Sequence, residues 1–455
     1  MRLRSLLRGL VFDLLLLPVL VLVLPWLLFL IIGRRRGVGA FLERLGGWRI
    51  APKTRERIWL HCVSVGELNL VGPLIDELRA ARPGSEVVLS VTTTTARELA
   101  AARYPELSTH LYPIDFSFAV RRVLRRVQPD VLVLVELELW PQTILEATAR
   151  EIPLVVVNGR ISDRSFPRLQ KLGALVRPLF RRLTAVSARD ETTAERFRAL
   201  GTPADRITTP GDLKLDRPLR TDGAATRATF EKTWGGVGEP RWVAGCTHPG
   251  EEDLLFETHR ALRSDRPTLL LLIAPRHLER VPQVVARAEA LGFRVGRTSA
   301  PPPSPPEGVD VVVLDQVGFL AALYAVGDIA FVGGSLIERG GHNLLEPVAA
   351  GVATIHGPHV DNFRDLARLL HEHDVTRTVD ADTLAAQVRA AWEEPKEGAA
   401  RVERGRALLE GARGAARETS EGIVALLESR SKARRARQIP PSSPSASVEV
   451  GSSTR

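Results

Sequence analysis

The stretch Ile58-Trp59-Leu60-His61-Cys62-Val63-Ser64-Val65, followed at once by Gly66-Glu67, decides how the rest of the chain reads. Its mostly apolar residues stop at a small polar turn, and helical spacing takes over from Leu68 to Arg82. A strand apolar on both faces suits a parallel sheet, where crossover helices cover both sides. Working outward, the same unit recurs: EVVLSVT (86–92), VLVLVEL (131–137), PLVVVN (153–158) and LTAVSA (183–188), with helical spacing between them as in Phe116 to Val127. A polar, Gly-containing interval around 217–240 breaks the rhythm. It resumes in WVAGCT (242–247), LLLLIAP (269–275), VDVVVLD (309–315), IAFVGGS (329–335) and VATIHG (352–357). The pattern predicts an α/β protein with two Rossmann-like, doubly wound domains, 37–220 and 221–429. Ligands in such sheets bind beyond the carboxyl ends of the strands, so a cleft between facing domains is expected. The Pro-rich PPPSPP (301–306) reads as a loop, and residues 430–455, rich in Arg, Ser and Pro, as a disordered tail.

The 455 residues are 44% hydrophobic and 25% charged, enough apolar content for packed cores. A net charge of +9 suggests nucleic acid until its location is considered. Residues 1–36 carry +5 and residues 430–437 another +5, leaving the remainder of the chain near −1. A duplex-binding protein concentrates positive charge on its folded domains, so no nucleic-acid partner is expected. The two cysteines, Cys62 and Cys246, lie in apolar runs and read as small buried hydrophobes in a reducing compartment.

From Leu14 to Ile32 the chain runs 19 residues without a charge and ends in Gly33 and Arg34-Arg35-Arg36. That length crosses ~30 Å of hydrocarbon, and no small-residue cleavage site follows it, so residues 1–36 read as an uncleaved membrane anchor. Pro18 and Pro25 would kink it, which leaves a tilted or re-entrant segment as the alternative. The triple arginine and the reduced cysteines place the following domains on the cytoplasmic side.

The sequence has no GxGxxG, Walker, HExxH or GxSxG pattern, which removes support for dinucleotide oxidoreductases, P-loop enzymes, zincins and common serine hydrolases. Polar residues gather instead at strand ends. Ser64, Gly66 and Glu67 follow the first strand. A carboxylate there, beside a glycine that admits close approach, is placed to take a proton from a hydroxyl; the spacing alone favours an ordinary first-turn glutamate stabilised by the helix dipole. Glu136 and Glu138 follow another strand of the same sheet and suit acceptor positioning or support of Glu67, or helix capping near Pro141. In the second half, Pro275 ends a strand ahead of Arg276 and His277, two side chains suited to phosphate. Gly340-Gly341-His342-Asn343 leads into Leu344-Leu345-Glu346, where a glycine-led helix start can hold an anion and Glu346 can accept from ribose hydroxyls. Thr247-His248-Pro249-Gly250-Glu251 tops a strand, as a helix start or a cleft lining. Two histidines without a third ligand at recognisable spacing do not argue for a metal.

At these residues the chain resembles the 3-deoxy-D-manno-octulosonic acid (Kdo) transferases of lipopolysaccharide assembly. The resemblance runs through HCVSVGE (61–67), VTTTTA (91–96), VELELWP (135–141), NGRISDRSF (158–166), GDLKLD (211–216), THPGEE (247–252), APRH (274–277) and FVGGSLIERGGHNLLEP (331–347). It implies a GT-B architecture, acceptor recognition in the first domain and nucleotide recognition in the second. It also implies transfer of Kdo from CMP-Kdo to a lipid A precursor at the inner membrane, with inversion and no required cofactor. By the same resemblance Glu67 corresponds to the general base. Pro275, Arg276, the turn Val317-Gly318-Phe319 and the run Asn343 to Glu346 correspond to CMP-binding positions. Phe319 stands where the family leads one to expect glutamate, Leu344 where it leads one to expect proline, and Leu278 where proline is common. A UDP-sugar transferase of the same architecture and a non-catalytic membrane adaptor are the competing readings.

Overall fold

The computed structural model describes residues 37–216, 223–235, 238–302 and 308–438. The expected anchor over 1–36 and the tail beyond Gln438 lie outside them. Among the described residues no helix is long and apolar enough to cross a membrane.

The first compact unit holds seven parallel strands: β1 Arg57–Cys62, β2 Glu86–Val91, β3 Ser108–Leu111, β4 Val131–Val135, β5 Leu154–Gly159, β6 Ala185–Ala188 and β7 Ile207–Thr208. Their order is β3-β2-β1-β4-β5-β6-β7. Every residue of β1, β4 and β5 is buried, as a sheet covered on both faces requires. The second unit repeats the plan with β8 Arg241–Thr247, β9 Leu270–Pro275, β10 Val295–Arg297, β11 Val311–Val313, β12 Ile329–Val332, β13 Ala353–His356 and β14 Thr376–Thr378, in the order β10-β11-β9-β8-β12-β13-β14. Winding reverses between β1 and β4 in one unit and between β8 and β12 in the other. These switch points open the crevices in which α/β proteins bind ligands.

The same clasp closes the opposite end of each central strand pair. Arg57 opens β1, its N–H donates to the Asp130 carboxylate (2.9 Å), and Asp130 N–H returns a bond to the Arg57 carbonyl (2.8 Å). In the second unit Arg241 N–H donates to the Asp328 carboxylate (2.8 Å), and Asp328 N–H donates to the Arg241 carbonyl (2.9 Å). Both arginine side chains are wholly buried and ion-paired, with Glu86 and Glu231 respectively. The two units therefore share a register device as well as an α/β rhythm.

The chain leaves the second unit at Gly411, and residues from Ala412 belong to the first. This corrects the expected domain end at 429. The helix Ala415–Gln438 presents Ala415, Ala416, Ile423 and Leu427 at helical spacing into the core formed with Leu74, Ile75 and Leu78. The Asp216 carboxylate accepts the N–H groups of Gly414 and Ala416 at its start. Arg430, placed by sequence in a disordered tail, is in this helix and donates to the Glu151 carbonyl. Composition set that sequence boundary, whereas the apolar stripe up to Leu427 decides where the segment packs.

Candidate functional site

In the first unit Ser64 caps the helix Val65–Leu70, its hydroxyl accepting the Glu67 N–H at 3.3 Å. The Glu67 side chain folds back, and its carboxylate accepts the Val63 N–H at 2.6 Å. This is nearly a capping box, which needs a Ser and a Glu three residues apart. The first-turn reading of Glu67 thus describes its local bonding, and the same bonding holds the carboxylate at the end of β1. Gly66 is exposed beside it. Glu136 leaves β4 with φ at +56°, a left-handed conformation rarely taken by side-chain-bearing residues, and its N–H donates to the Val157 carbonyl at 3.0 Å. The chain thereby turns Glu136 and Glu138 into the β1/β4 switch point.

The three carboxylates act on one another. Burial pushes the Glu67 carboxyl up to about 7; the Val63 N–H opposes this, and the charges of Glu136 and Glu138 add to it. Burial also raises Glu138 to about 7, against the Trp140 side chain and with help from Glu136. Two carboxyl groups with raised proton affinity thus share the neighbourhood of the Glu136 charge.

A layer absent from the sequence reading supports them. His61 is fully buried, its Nδ1 within 3.0 Å of the Ser90 hydroxyl and its ring stacked on Tyr112 at 3.7 Å. Burial drives its pKa down to about 3, so it stays neutral and structural. Tyr112 donates to the Thr143 hydroxyl (2.7 Å), and the Asp115 carboxylate accepts the N–H groups of Gln142 and Thr143 (2.9 Å each). Asp115 thus caps the helix Pro141–Ala149, directly after Trp140. The signal was Asp115 itself, an acidic residue ahead of a helix it does not belong to, and only the fold pairs the two.

In the second unit β8 ends in a bulge: its pairing with β9 shifts register between Gly245 and Thr247, and Cys246 has φ at +58°. The next residues carry Glu251, which is fully buried. Its carboxylate accepts four backbone N–H groups, from His248 (3.2 Å), Gly334 (2.7 Å), Ser335 (2.9 Å) and Leu336 (3.0 Å). Burial raises its pKa and the four bonds oppose the rise. Glu251 therefore ties the loop after β8 to the loop after β12. Gly334 allows this because its φ is +67°, and a Cβ there would lie 3.1 Å from the His342 ring.

Around this tie stand His248, His342, Arg276 and His277. Nε2 of His248 lies 2.8 Å from Nε2 of His342, and the His277 ring is edge-on to His248 at 5.9 Å. Arg276 is exposed while its N–H donates to the Thr247 carbonyl at 3.0 Å. Burial, then the neighbouring His248, Arg276 and His277, lower His342 to about 4. Asn343 accepts the Leu345 N–H through its side-chain oxygen (3.1 Å) and donates its amide to Glu346 (3.3 Å). The helix that follows, Leu345–Ala349, has five residues, so anion capture there draws little from a helix dipole.

Several expected side chains do not reach ligand space. Leu344 and Leu345 are buried, and Pro275 is the buried last residue of β9; each has only its main chain to offer. Val317 and Phe319 flank Gly318, whose φ is +88°, and are 83% and 53% exposed. Among the described residues no group of three or more His, Cys, Asp or Glu is placed to hold a metal ion.

Two doubly wound parallel sheets, each carrying polar residues at its switch point, define an α/β protein of GT-B-like architecture. The UDP-GlcNAc 2-epimerase of Neisseria meningitidis bound to UDP-GlcNAc has this fold, with a TM-score of 0.57 at 14% identity over 82% of this chain and 100% of that one. A glycosyltransferase from Rickettsia africae gives 0.54 at 10% identity, over 83% and 99%. Residues 40–217 match the family model described as 3-Deoxy-D-manno-octulosonic-acid transferase (kdotransferase). The 3-deoxy-D-manno-octulosonic acid transferase of Haemophilus influenzae is 34% identical over 75% of this chain and 80% of its own length. That of Bordetella pertussis is 33% identical over 80% and 86%. The chain belongs to the Kdo transferase family and is a glycosyltransferase that transfers Kdo.

Proposed function

We propose that the protein transfers Kdo from CMP-Kdo to a lipid A precursor at the cytoplasmic face of the inner membrane, with Glu67 as general base. The observation that carries this reading is the Glu67 carboxyl itself, held at the β1/β4 switch point and poised near neutrality. A base with that affinity is about half ionised at pH 7 and is a stronger proton acceptor than an ordinary carboxylate. The acceptor hydroxyl loses its proton to Glu67 as its oxygen bonds to the anomeric carbon; the bond to the phosphate oxygen breaks and CMP departs. One displacement inverts that carbon. The leaving phosphate takes its neutralisation from Arg276, with His277 beside it, so the protein's own cations supply the stabilisation. Glu346, fixed by Asn343, accepts from the ribose hydroxyls. Exposed Phe319 offers an apolar face to the base where a glutamate was expected.

The test is incubation of membranes containing the full chain with CMP-Kdo and a tetraacylated lipid A precursor, followed by mass spectrometry of the lipid. A mass increase of one or more Kdo units is expected, inhibited by CMP and not by UDP. An unmodified lipid, or inhibition by UDP instead, removes the proposal.

A further inference from the structure

The His248–His342 pair is not accounted for by phosphate binding alone. The rings are parallel to within 1° with centroids 5.1 Å apart, while their Nε2 atoms are 2.8 Å apart. That centroid separation is the nitrogen–nitrogen distance plus a ring radius at each end, so the rings meet edge to edge in one plane. One proton lies between the two nitrogens, donated by one imidazole to the lone pair of the other. The loop after β8 supplies one ring and the loop after β12 the other, and Glu251 locks those loops together. The groups that face the pair are His277 and Arg276 from the end of β9, Arg339 from the β12 loop, and Glu252. The guanidinium groups of Arg276 and Arg339 stand against the carboxylates of Glu252 and of Glu251, which accepts the His248 N–H, and burial disfavours a charged ring at either histidine in the free protein. A half-buried neutral pair beside two guanidinium groups gains a proton when an anion arrives to offset the charge.

The donor carries two anions. An ulosonic acid has its carboxylate on the anomeric carbon, the same carbon that bears the CMP phosphate. A phosphate subsite must therefore adjoin a carboxylate subsite, and the pair adjoins Arg276 and His277. Resting on the CMP-sugar reading above, we propose that His248 and His342 form the subsite for the sugar's carboxylate, the pair taking up one proton as this second anion binds. The added proton leaves one ring as imidazolium, with its charge shared across the N–H···N bond.

Calorimetry of the full chain with CMP saturating tests this, using 2-deoxy-Kdo as probe and its methyl ester as the uncharged control. The free acid is expected to bind about tenfold tighter than the ester, as a charge-assisted contact implies. Titration in buffers of different ionisation enthalpy should show about one proton taken up. In His248→Asn and His342→Asn that preference should disappear, while the thermal midpoint of each ligand-free variant, close to that of the natural chain, reports that it is folded. Equal binding of acid and ester to the natural chain overturns the inference, as does a preference that survives in both variants; in either case CMP-dependent transfer still stands. Failure of the natural chain to bind CMP removes the nucleotide reading and this inference with it.

Discussion

The Glu67 carboxylate and the Val63 N–H are 2.6 Å apart, so the proposed base is fastened to the strand end it follows. Glu67→Gln keeps an oxygen to accept that bond and loses the ability to take a proton. A positioned base contributes about 10² to 10⁴-fold, so turnover should fall by that factor while CMP affinity is unchanged. Single-turnover transfer and CMP calorimetry on the same preparation check both halves. Undiminished turnover would take Glu67 out of the mechanism.

The pH dependence follows from the same carboxyl. Glu67 works as a base only when ionised, and its pKa is raised to about 7. The rate at low acceptor concentration should therefore climb as pH rises, with a midpoint near that value rather than near 4.5. The charges of Glu136 and Glu138 contribute to the elevation, so Glu138→Gln should move the midpoint toward acid. A pH–rate profile of the two proteins decides it; an unshifted midpoint shows that the carboxylates do not communicate.

Glu138 also bears on stability, and its sign can be worked out. Its folded pKa of about 7 lies above the ordinary value of 4.5, so the folded state binds the proton more tightly than the unfolded chain. The ionised group costs stability progressively from about pH 4.5, and the cost is fully present above about pH 7. Glu138→Gln should therefore stabilise the protein at pH 8, by about 1 kcal/mol once partial solvent screening is allowed for, and change little at pH 4. Urea midpoints at the two pH values measure this. A variant no more stable at pH 8 contradicts it.

The central strands were legible because IWLHC, VLVLV and LLLLIAP are apolar on both faces. The shorter strands β3, β7, β10 and β14 were not, because Ser108–Leu111 and Thr376–Thr378 lack a continuous apolar run and take their pairing from the neighbour already in place. Glu67, Glu136, Arg276 and Glu346 could be picked from sequence because acidic and basic residues stand out after apolar runs. His61 and Asp115 could not, since their partners Ser90, Tyr112, Gln142 and Thr143 come from other elements. The helix Ala415–Gln438 was assigned by composition to the wrong neighbour, although its Ala, Ile and Leu stripe marked it as packed.

Glu251 is the residue whose weight the sequence hid. It reads there as part of a helix start or a cleft lining, and in the fold it is a buried carboxylate accepting four N–H groups from two loops. Each buried donor left without a partner costs about 1–3 kcal/mol, and Gly334 and Ser335 are both buried. Glu251→Ala should lower unfolding stability by on the order of 3 kcal/mol. Because those loops carry His248 and lead to His342, the loss should not stop at stability. KM for CMP-Kdo should rise even at temperatures where the variant remains folded, and Glu251→Gln, which offers one acceptor oxygen in place of two, should fall between the parent and alanine. Calorimetric melting and donor kinetics on the three proteins separate the two effects. A variant that melts early but keeps the parental KM when folded would confine Glu251 to scaffolding.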